Sequence, residues 1–434
     1  MSAPYRLCLM HPMDPRGCKL GGIETHVRMI LARHPADFSV LFVGVDEIGD
    51  CKLGRVMRVP AGAQWIDFLP VASISSDRIN LAGKTIGSST TFRFATGALR
   101  HLPAIRRSLK GAAASADLQR FEFALIPKLL GLKTVQMVHG EGAKDQKMDS
   151  LIKKLWFVHR FNEGLALRLA SRILCVNPNI VKRMQGLYPA AARKAEVMTV
   201  SVDTRHFTPQ PFDTGEGIFR IVFAGRLDEF KDPPLMFRVL AALRERLHGR
   251  VEFHYAGTSD PHRYAEFAAI EGMTTSHGFL DGHGVKALLG RCHAGILTSY
   301  FEGMPCYLLE TLATGRPFAA IRLPQYDPLV VEGVSGTLVE RTEPDAACHA
   351  GLVEAFAALW DDICSGRIDP ALVHARVDPY SIENQMARLF AHHRTLQGEP
   401  AAAQASVAAA GTAERPTQRA RASPKKAIAQ LPAP

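Results

Sequence analysis

Long apolar runs are missing from this chain of 434 residues. None reaches the ~18–20 residues that a helix needs to cross a bilayer, so no membrane span is expected. The opening MSAPYRLCLMHP lacks a basic stretch, an apolar core and a small-residue cleavage site, and it reads as a first strand. Cysteine is sparse, with eight residues and no Cys-x-x-Cys pair. That argues against a disulfide framework or a zinc cage and favours reduced thiols in a cytoplasmic protein. No repeat of fixed period is found, which leaves solenoids and propellers aside.

What is present is an ordinary globular balance, 47% hydrophobic and 22% charged. The length exceeds what one core usually supports, so two domains are expected. The formal net charge of +10 is partly carried by Arg415, Arg419, Arg421, Lys425 and Lys426 near the C-terminus. The rest suits an anionic ligand or an anionic membrane surface; no nucleic acid partner is expected.

Short apolar runs alternate with helical stretches throughout. Strands are expected at Arg6–Met10, Ser39–Val43, Thr134–Val138, Ile173–Val176, Arg220–Ala224, Val251–Ala256 and Gly295–Thr298. Runs that are uniformly apolar suit parallel strands covered on both faces, and alternation with helices implies doubly wound α/β sheets. Turn formers cluster at PQPFDTG, residues 209–215, which marks the linker between two such sets. The Ala-, Pro- and Arg-rich sequence from 399 to 434 is expected to be disordered. Domains are therefore expected at 1–208 and at 209–380, with an amphipathic segment at 381–398 after them.

Open parallel sheets bind ligands beyond the carboxyl ends of their strands, and four segments fall there. After the first strand, Gly21 and Gly22 allow close backbone approach at the start of a helix, whose free N–H groups favour an anion. His139 directly follows another strand, with Gly140 beside it. Gly225 ends a strand, and Arg226 and Lys231 then flank a loop before Pro233, a pair of cations suited to a diphosphate. In FEGMPCYLLETLATGRP, Glu302 lies in a loop and Glu310 on the helix opened by Pro305. Carboxylates among apolar neighbours are costly unless something pairs with them. Against each reading stands a plainer one: a turn, a structural histidine, a solvated loop, a helix-dipole carboxylate or a surface ion pair. From the residues alone, a nucleotide-type ligand between two doubly wound domains is the furthest reading.

The motifs GGIE, HG after a strand, VSVDTRHFTP, FAGRLDEFKD, SYFEGMPCYLLETLATGRP and VVEGVSGTLVE follow one another across most of residues 1–398. In this order they resemble the retaining glycosyltransferases of the family four ("glycosyl transferases group 1") type, which have the GT-B fold. The Glu302-x7-Glu310 element around EGMP is the most specific of them. The resemblance implies two Rossmann-like domains facing across a cleft, with a C-terminal helix crossing back to the N-terminal one. It implies that Gly21 and Gly22 approach the donor diphosphate and that Arg226 and Lys231 neutralise it as it leaves. Glu302 would lie near the donor sugar, the backbone of Gly303, Met304 and Pro305 would cap the phosphates, and Glu310 would hold the ribose diol. His139 would sit near the sugar.

The implied activity is transfer of a sugar from a nucleotide-diphosphate sugar, with retention, to a saccharide or lipid-linked saccharide in cell-surface or exopolysaccharide synthesis. The nucleotide sugar is a co-substrate; no cofactor is expected, and without an Asp-x-Asp triplet no metal either. The pattern is departed from at TVSVDT, where the family carries Asn-Gly or Pro-Gly before Val-Asp. It is departed from again at Lys231-Asp232, where Lys-Gly is usual and a negative charge is added. Arg120 and Glu122 are candidates for the acceptor cleft. Basic amphipathic stretches at 92–110 and 150–172, with Lys153, Lys154, Arg160, Leu151, Leu155, Trp156 and Phe161, could meet anionic lipid at the inner face of a cytoplasmic membrane; the plainer reading is helices packed on the core. The rival reading is a GT-B nucleotide-sugar-binding protein without transferase activity, an inactive scaffold or an epimerase-like protein.

Overall fold

In a computed structural model, residues 5–19, 21–79, 89–140 and 156–398 are described. Fourteen strands lie in two sheets among these residues. The first sheet holds β1 (Tyr5–Met10), β2 (Phe38–Asp46), β3 (Met57–Ala61), β4 (Gln64–Ser73), β5 (Ala113–Leu118), β6 (Lys133–Val138), β7 (Arg172–Cys175) and β8 (Ala195–Val197). The second holds β9 (Phe219–Ala224), β10 (Val251–Ala256), β11 (Thr274–Ser276), β12 (Ala294–Leu297), β13 (Phe318–Ile321) and β14 (Gly336–Val339). The strand orders are β3-β4-β2-β1-β5-β6-β7-β8 and β11-β10-β9-β12-β13-β14. Every pairing is parallel except β3 with β4. In each sheet the chain runs outward and then returns to the other side of its first strand. This places switch points between β1 and β5 and between β9 and β12, where crevices open beyond the strand ends.

All seven expected strands are present within three residues of their expected limits. Most of their side chains are buried, as are Ile296 and Leu297 in β12. The hairpin β3–β4 has a different signature: burial alternates along Met57–Ala61, because this edge strand shows one face to solvent. Its two-residue turn begins at Gly62, whose φ of 60° suits the first position of a tight hairpin turn.

The last helix, Ile382–Leu396, buries Ile382, Gln385, Met386, Leu389, Phe390 and His393, one stripe at helical spacing. That stripe lies on the first sheet, as expected. Phe390 meets Phe38 edge to face at 4.8 Å, and Arg394 holds the Asp37 carboxylate through Nε and a terminal nitrogen at 2.8 and 3.0 Å. The two passages of chain between the sheets are hydrogen-bonded to each other: Val202 N–H donates to the Tyr380 carbonyl and Ile382 N–H to the Val202 carbonyl. After the first passage, Arg316 is fully buried and donates to the carbonyls of Gln210, Pro211, Leu289 and Gly290, with Phe212 against its guanidinium. The residues read as a linker are thus held firmly at their start.

Candidate functional site

At the β9/β12 switch, two loops are laced together. Thr298 Oγ1 donates to the carbonyls of Lys231 and Asp232 at 2.7 and 3.1 Å, and Tyr300 N–H donates to the Phe230 carbonyl. Phe301 stacks on Phe230 at 4.8 Å. This lacing carries Lys231 to Glu302, Nζ to Oε1 at 2.5 Å, and Ser299 Oγ donates to the same oxygen at 3.0 Å. Both charged side chains are largely withdrawn from water, so the pair is held by strong local electrostatics. The ammonium also lies over the Phe230 ring at 5.2 Å. Arg226, the other expected cation, is set apart: it is mostly exposed and pairs with Asp228 at 3.0 Å.

The carbonyl of Glu302 accepts from Gln325 Nε2 and from Asn177 Nδ2, and the carbonyl of Gly303 accepts from the same Asn177 amide. Asn177 belongs to the first sheet's side, where it caps the helix Pro178–Leu187 by accepting from Ile180 N–H. One side chain therefore begins a helix and grips the loop of the opposite half. A Cβ on Gly303 would lie 2.3 Å from the His139 carbonyl oxygen, so only glycine lets the HG turn and the EGMP loop approach this closely. A Cβ on Gly22 would lie 3.8 Å from Cys306 Sγ, at the first turn of the helix Cys306–Ala313. Met304 and Pro305 lead into that helix, and Glu310 lies on its second turn. Among the described residues the Glu310 carboxylate has no ion pair, and burial pushes it up to about 7.

Asp232, the departure from Lys-Gly, takes the left-handed conformation (φ 52°) that glycine adopts without cost. Its carboxylate caps the helix Pro233–Arg246 through Leu235 N–H and accepts from Arg341 at 2.9 Å. Arg341 also stacks 3.8 Å over the Tyr300 ring and donates to the Thr298 carbonyl. The added negative charge is therefore matched by a cation and engaged in fixing the loop.

On the first sheet's side, β1 leads to His11 and then to the glycines. Gly21 has φ 149°, and a Cβ there would lie 2.3 Å from Glu24 Oε2. Glu24 accepts from His11 Nε2 at 3.0 Å and pairs with Lys19 at 3.2 Å. Burial would raise the Glu24 carboxyl, but the His11 hydrogen bond and the Lys19 charge bring it down to about 2. Burial lowers His11 to about 4, so at neutral pH the ring is uncharged and Lys19 supplies the cation. His139 follows β6 as expected, with its ring 5.9 Å from that of His26, and burial lowers it to about 3. Its Nε2 meets Gln119 Oε1 at 2.6 Å. Arg120 pairs loosely with Glu122, at 3.9 Å, and its charge reaches His11, Lys19 and His139.

The structure thus brings Gly21, Gly22, His139 and Arg120 together on one side and Lys231, Glu302, Gly303, Met304 and Pro305 on the other, with Gly225 (φ 147°) ending β9 beneath. Sequence reasoning passed over His11, Lys19, Glu24, Gln119, Asn177, Gln325 and Arg341. Asn177 follows β7 just as His139 follows β6, so the strand-end rule applied once more would have found it.

The basic stretch 92–110 contributes Phe92 and Leu99 to the surface of the helix Thr90–Arg100, while Phe94 and Ala98 are buried. On the helix Trp156–Leu169, Phe157 and Phe161 are 80% and 63% exposed, so its apolar residues do not all face the core. Leu151, Lys153, Lys154 and Leu155 lie outside the described residues. No helix among the described residues is long and apolar enough to cross a membrane.

Residues 218–361 match the family model described as "Glycosyl transferases group 1". D-inositol 3-phosphate glycosyltransferase of Geodermatophilus obscurus is 29% identical over 266 residues, 57% of either chain. The chain spans about half the length of the curated relatives it matches. Among solved structures, sucrose-phosphate synthase from Thermosynechococcus elongatus superposes with a TM-score of 0.68 at 15% identity, over 90% of this chain and 98% of that one. The Anabaena protein HepE, in complex with UDP and glucose, gives 0.60 at 14% identity, over 90% and 99%. The fold is GT-B, and the resemblance to the group 1 glycosyltransferases is borne out, without its retaining mechanism, which these matches do not address.

Proposed function

We propose that this chain, whose residues 218–361 match the group 1 glycosyltransferases, is a retaining, metal-independent hexosyltransferase-type enzyme. It takes a sugar from a nucleotide-diphosphate sugar and passes it to a saccharide or lipid-linked saccharide of bacterial cell-surface or exopolysaccharide synthesis. The observation that carries this reading is the Lys231–Glu302 pair, set opposite His139 and the Gly21–Gly22 turn at the meeting of two switch points.

In the proposed reaction the sugar–phosphate bond breaks with oxocarbenium character, and charge grows on the leaving diphosphate. Lys231, already oriented by Glu302 and the aromatic rings, turns its ammonium to that charge, and exposed Arg226 swings in from Asp228. The helix start at Pro305 and the Gly21–Gly22 turn supply N–H groups on either side. Preorganised donors of this kind are the largest contribution to such catalysis, with one donor worth about 3–4 kcal/mol. Glu302, freed from Lys231, accepts from a sugar hydroxyl. Glu310 accepts from the ribose diol, which gives its unpaired carboxylate a partner. The acceptor attacks from the face the diphosphate leaves, so configuration is retained. Arg120 and Glu122 line the acceptor side.

Exposed Phe157 and Phe161 beside Arg160 support peripheral attachment to anionic lipid at the inner face of the cytoplasmic membrane. Co-sedimentation with vesicles that does not depend on anionic lipid would sink that part. The central test is melting temperature against UDP-, GDP- and ADP-sugars, followed by product analysis with lipid-linked saccharides and inositol phosphate as acceptors. Stabilisation by one nucleotide class and an α-linked product from an α-linked donor support the reading. Absence of any shift returns the chain to the scaffold alternative.

A further inference from the structure

Behind His139 lies a buried chain of hydrogen bonds whose polarity can be worked out from chemistry alone. It starts at Asp117, at the end of β5 and without exposure. A carboxylate accepts and does not donate, so the Gln119 group facing Asp117 Oδ1 is its NH2. The Gln119 carbonyl oxygen is thereby turned to His139, and the ring nitrogen 2.6 Å away, Nε2, must carry the proton. The same rule works on the far side. His393 Nε2, 3.3 Å from Asp117 Oδ2, donates to it, so His393 Nδ1 accepts from Ser115 Oγ at 2.8 Å. Ser115 Oγ then accepts from Gln397 Nε2 at 2.7 Å, and Gln397 also meets the main chain of Arg6 in β1. Along these contacts each donor faces an acceptor, and His139 Nδ1 is the one ring nitrogen the chain leaves over.

We propose that Asp117 and Gln119, held from behind by His393 of the closing helix, are positioning residues that fix His139 as its Nε2–H tautomer. The ring's remaining acceptor is then Nδ1, which serves a hydroxyl of the bound sugar. That last clause rests on the donor-site reading above; the fixing of the ring does not. The ring stays neutral over the working pH range, since burial lowers His139 to about 3. A neutral ring of one tautomer accepts a hydroxyl hydrogen without competing for the positive role of Lys231. The arrangement also explains why the helix Ile382–Leu396 reaches the first sheet with a histidine in its apolar stripe: an aliphatic residue there would leave one oxygen of buried Asp117 without a donor.

The test is nitrogen-15 NMR of the histidine rings in the full-length protein without ligand, with the His139 signals assigned by their loss in His139→Asn. The wild-type ring is expected to show a protonated Nε2 and a bare Nδ1; a protonated Nδ1 or an imidazolium overturns the proposal. In Asp117→Leu nothing orients the Gln119 amide, and mixed tautomers are expected. A ring unchanged in that variant overturns the proposal equally. His393→Gln keeps a donor at the place of Nε2 and should retain the wild-type ring spectrum, whereas His393→Asn, which reaches only the place of Nδ1, should not. Packing alone would not order these two variants so. On the kinetic side, Asp117→Leu should lower kcat by roughly tenfold with donor KM within about twofold, as for other outer-shell partners. Because the spectrum is read without nucleotide sugar, a failure of the proposed transferase activity would be seen separately from a failure of the ring to be fixed.

Discussion

The Lys231 ammonium and the Glu302 carboxylate meet at 2.5 Å, 71 positions apart in sequence, with Ser299 donating to the same carboxylate oxygen. Both side chains are largely withdrawn from water, and each holds the other in place. Lys231→Ala should reduce kcat for transfer by about 10²–10³, the usual consequence of removing one preorganised donor. Lys231→Arg should recover only part of it, because the guanidinium is larger and planar. Single-turnover rates with saturating donor would check this; a loss confined to KM would show that Lys231 acts in binding alone.

Glu310 gives a pH signature. Burial moves its carboxyl from 4.5 to about 7. Between those values the unfolded chain has released the proton while the folded chain still holds it. This group's contribution to stability therefore falls as pH rises from about 4.5 to about 7 and is level above. Glu310→Gln should raise the melting temperature by roughly 2–5 °C at pH 8 and have no such effect below pH 4. The same variant should lose the nucleotide-sugar-dependent rise in melting temperature. Scans at pH 4, 6 and 8, with and without ligand, separate the two effects.

Asp232 tests a departure from the family pattern. Asp232→Ala keeps the left-handed φ of 52°, removes the helix cap and leaves Arg341 without its carboxylate. A loss of about 2–3 kcal/mol in urea denaturation is expected. Asp232→Gly relieves the backbone and should cost at most about 1 kcal/mol. Equal losses in the two variants would show that the left-handed backbone contributes nothing.

Gly303→Ala places a methyl group against the His139 carbonyl, a backbone atom that cannot turn aside. The HG turn and the EGMP loop must separate, at a cost of about 1–3 kcal/mol. Transfer should fall at least tenfold, since the separation is of the order at which misplacement removes catalysis. Asn177→Ala, which releases the same loop without a clash, should give a smaller loss of both.

Legibility in the sequence followed burial. Strands such as β12 and β2, covered on both faces, leave continuous apolar runs and are read directly. The hairpin β3–β4 alternates, and β8 and β11 have three residues each, too few to carry a pattern. In the site, the two glutamates announce themselves by charge amid apolar neighbours or glycine, and Lys231 by its place after a strand end. Asp117, Gln119 and His393 do not. Their meaning lies in which lone pair faces which proton across 276 positions of chain, and no spacing encodes that. Arg341 is hidden for the same reason: its partner Asp232 lies 109 residues earlier.

The closing helix has a consequence for how the chain is made. The first sheet is synthesised early, yet Phe38 obtains its Phe390 neighbour, and buried Asp117 its second donor, only once residues 382–396 have left the ribosome. The second sheet, residues 219–339, leans on a nearer helix, Ala346–Cys364, whose Trp360 stacks on Phe219. It can therefore reach its final pairing while the older half of the molecule still waits, and such a late seal is where nascent chains are most exposed to misassembly. A molecule released before that point would carry a whole second sheet beside an unfinished first one.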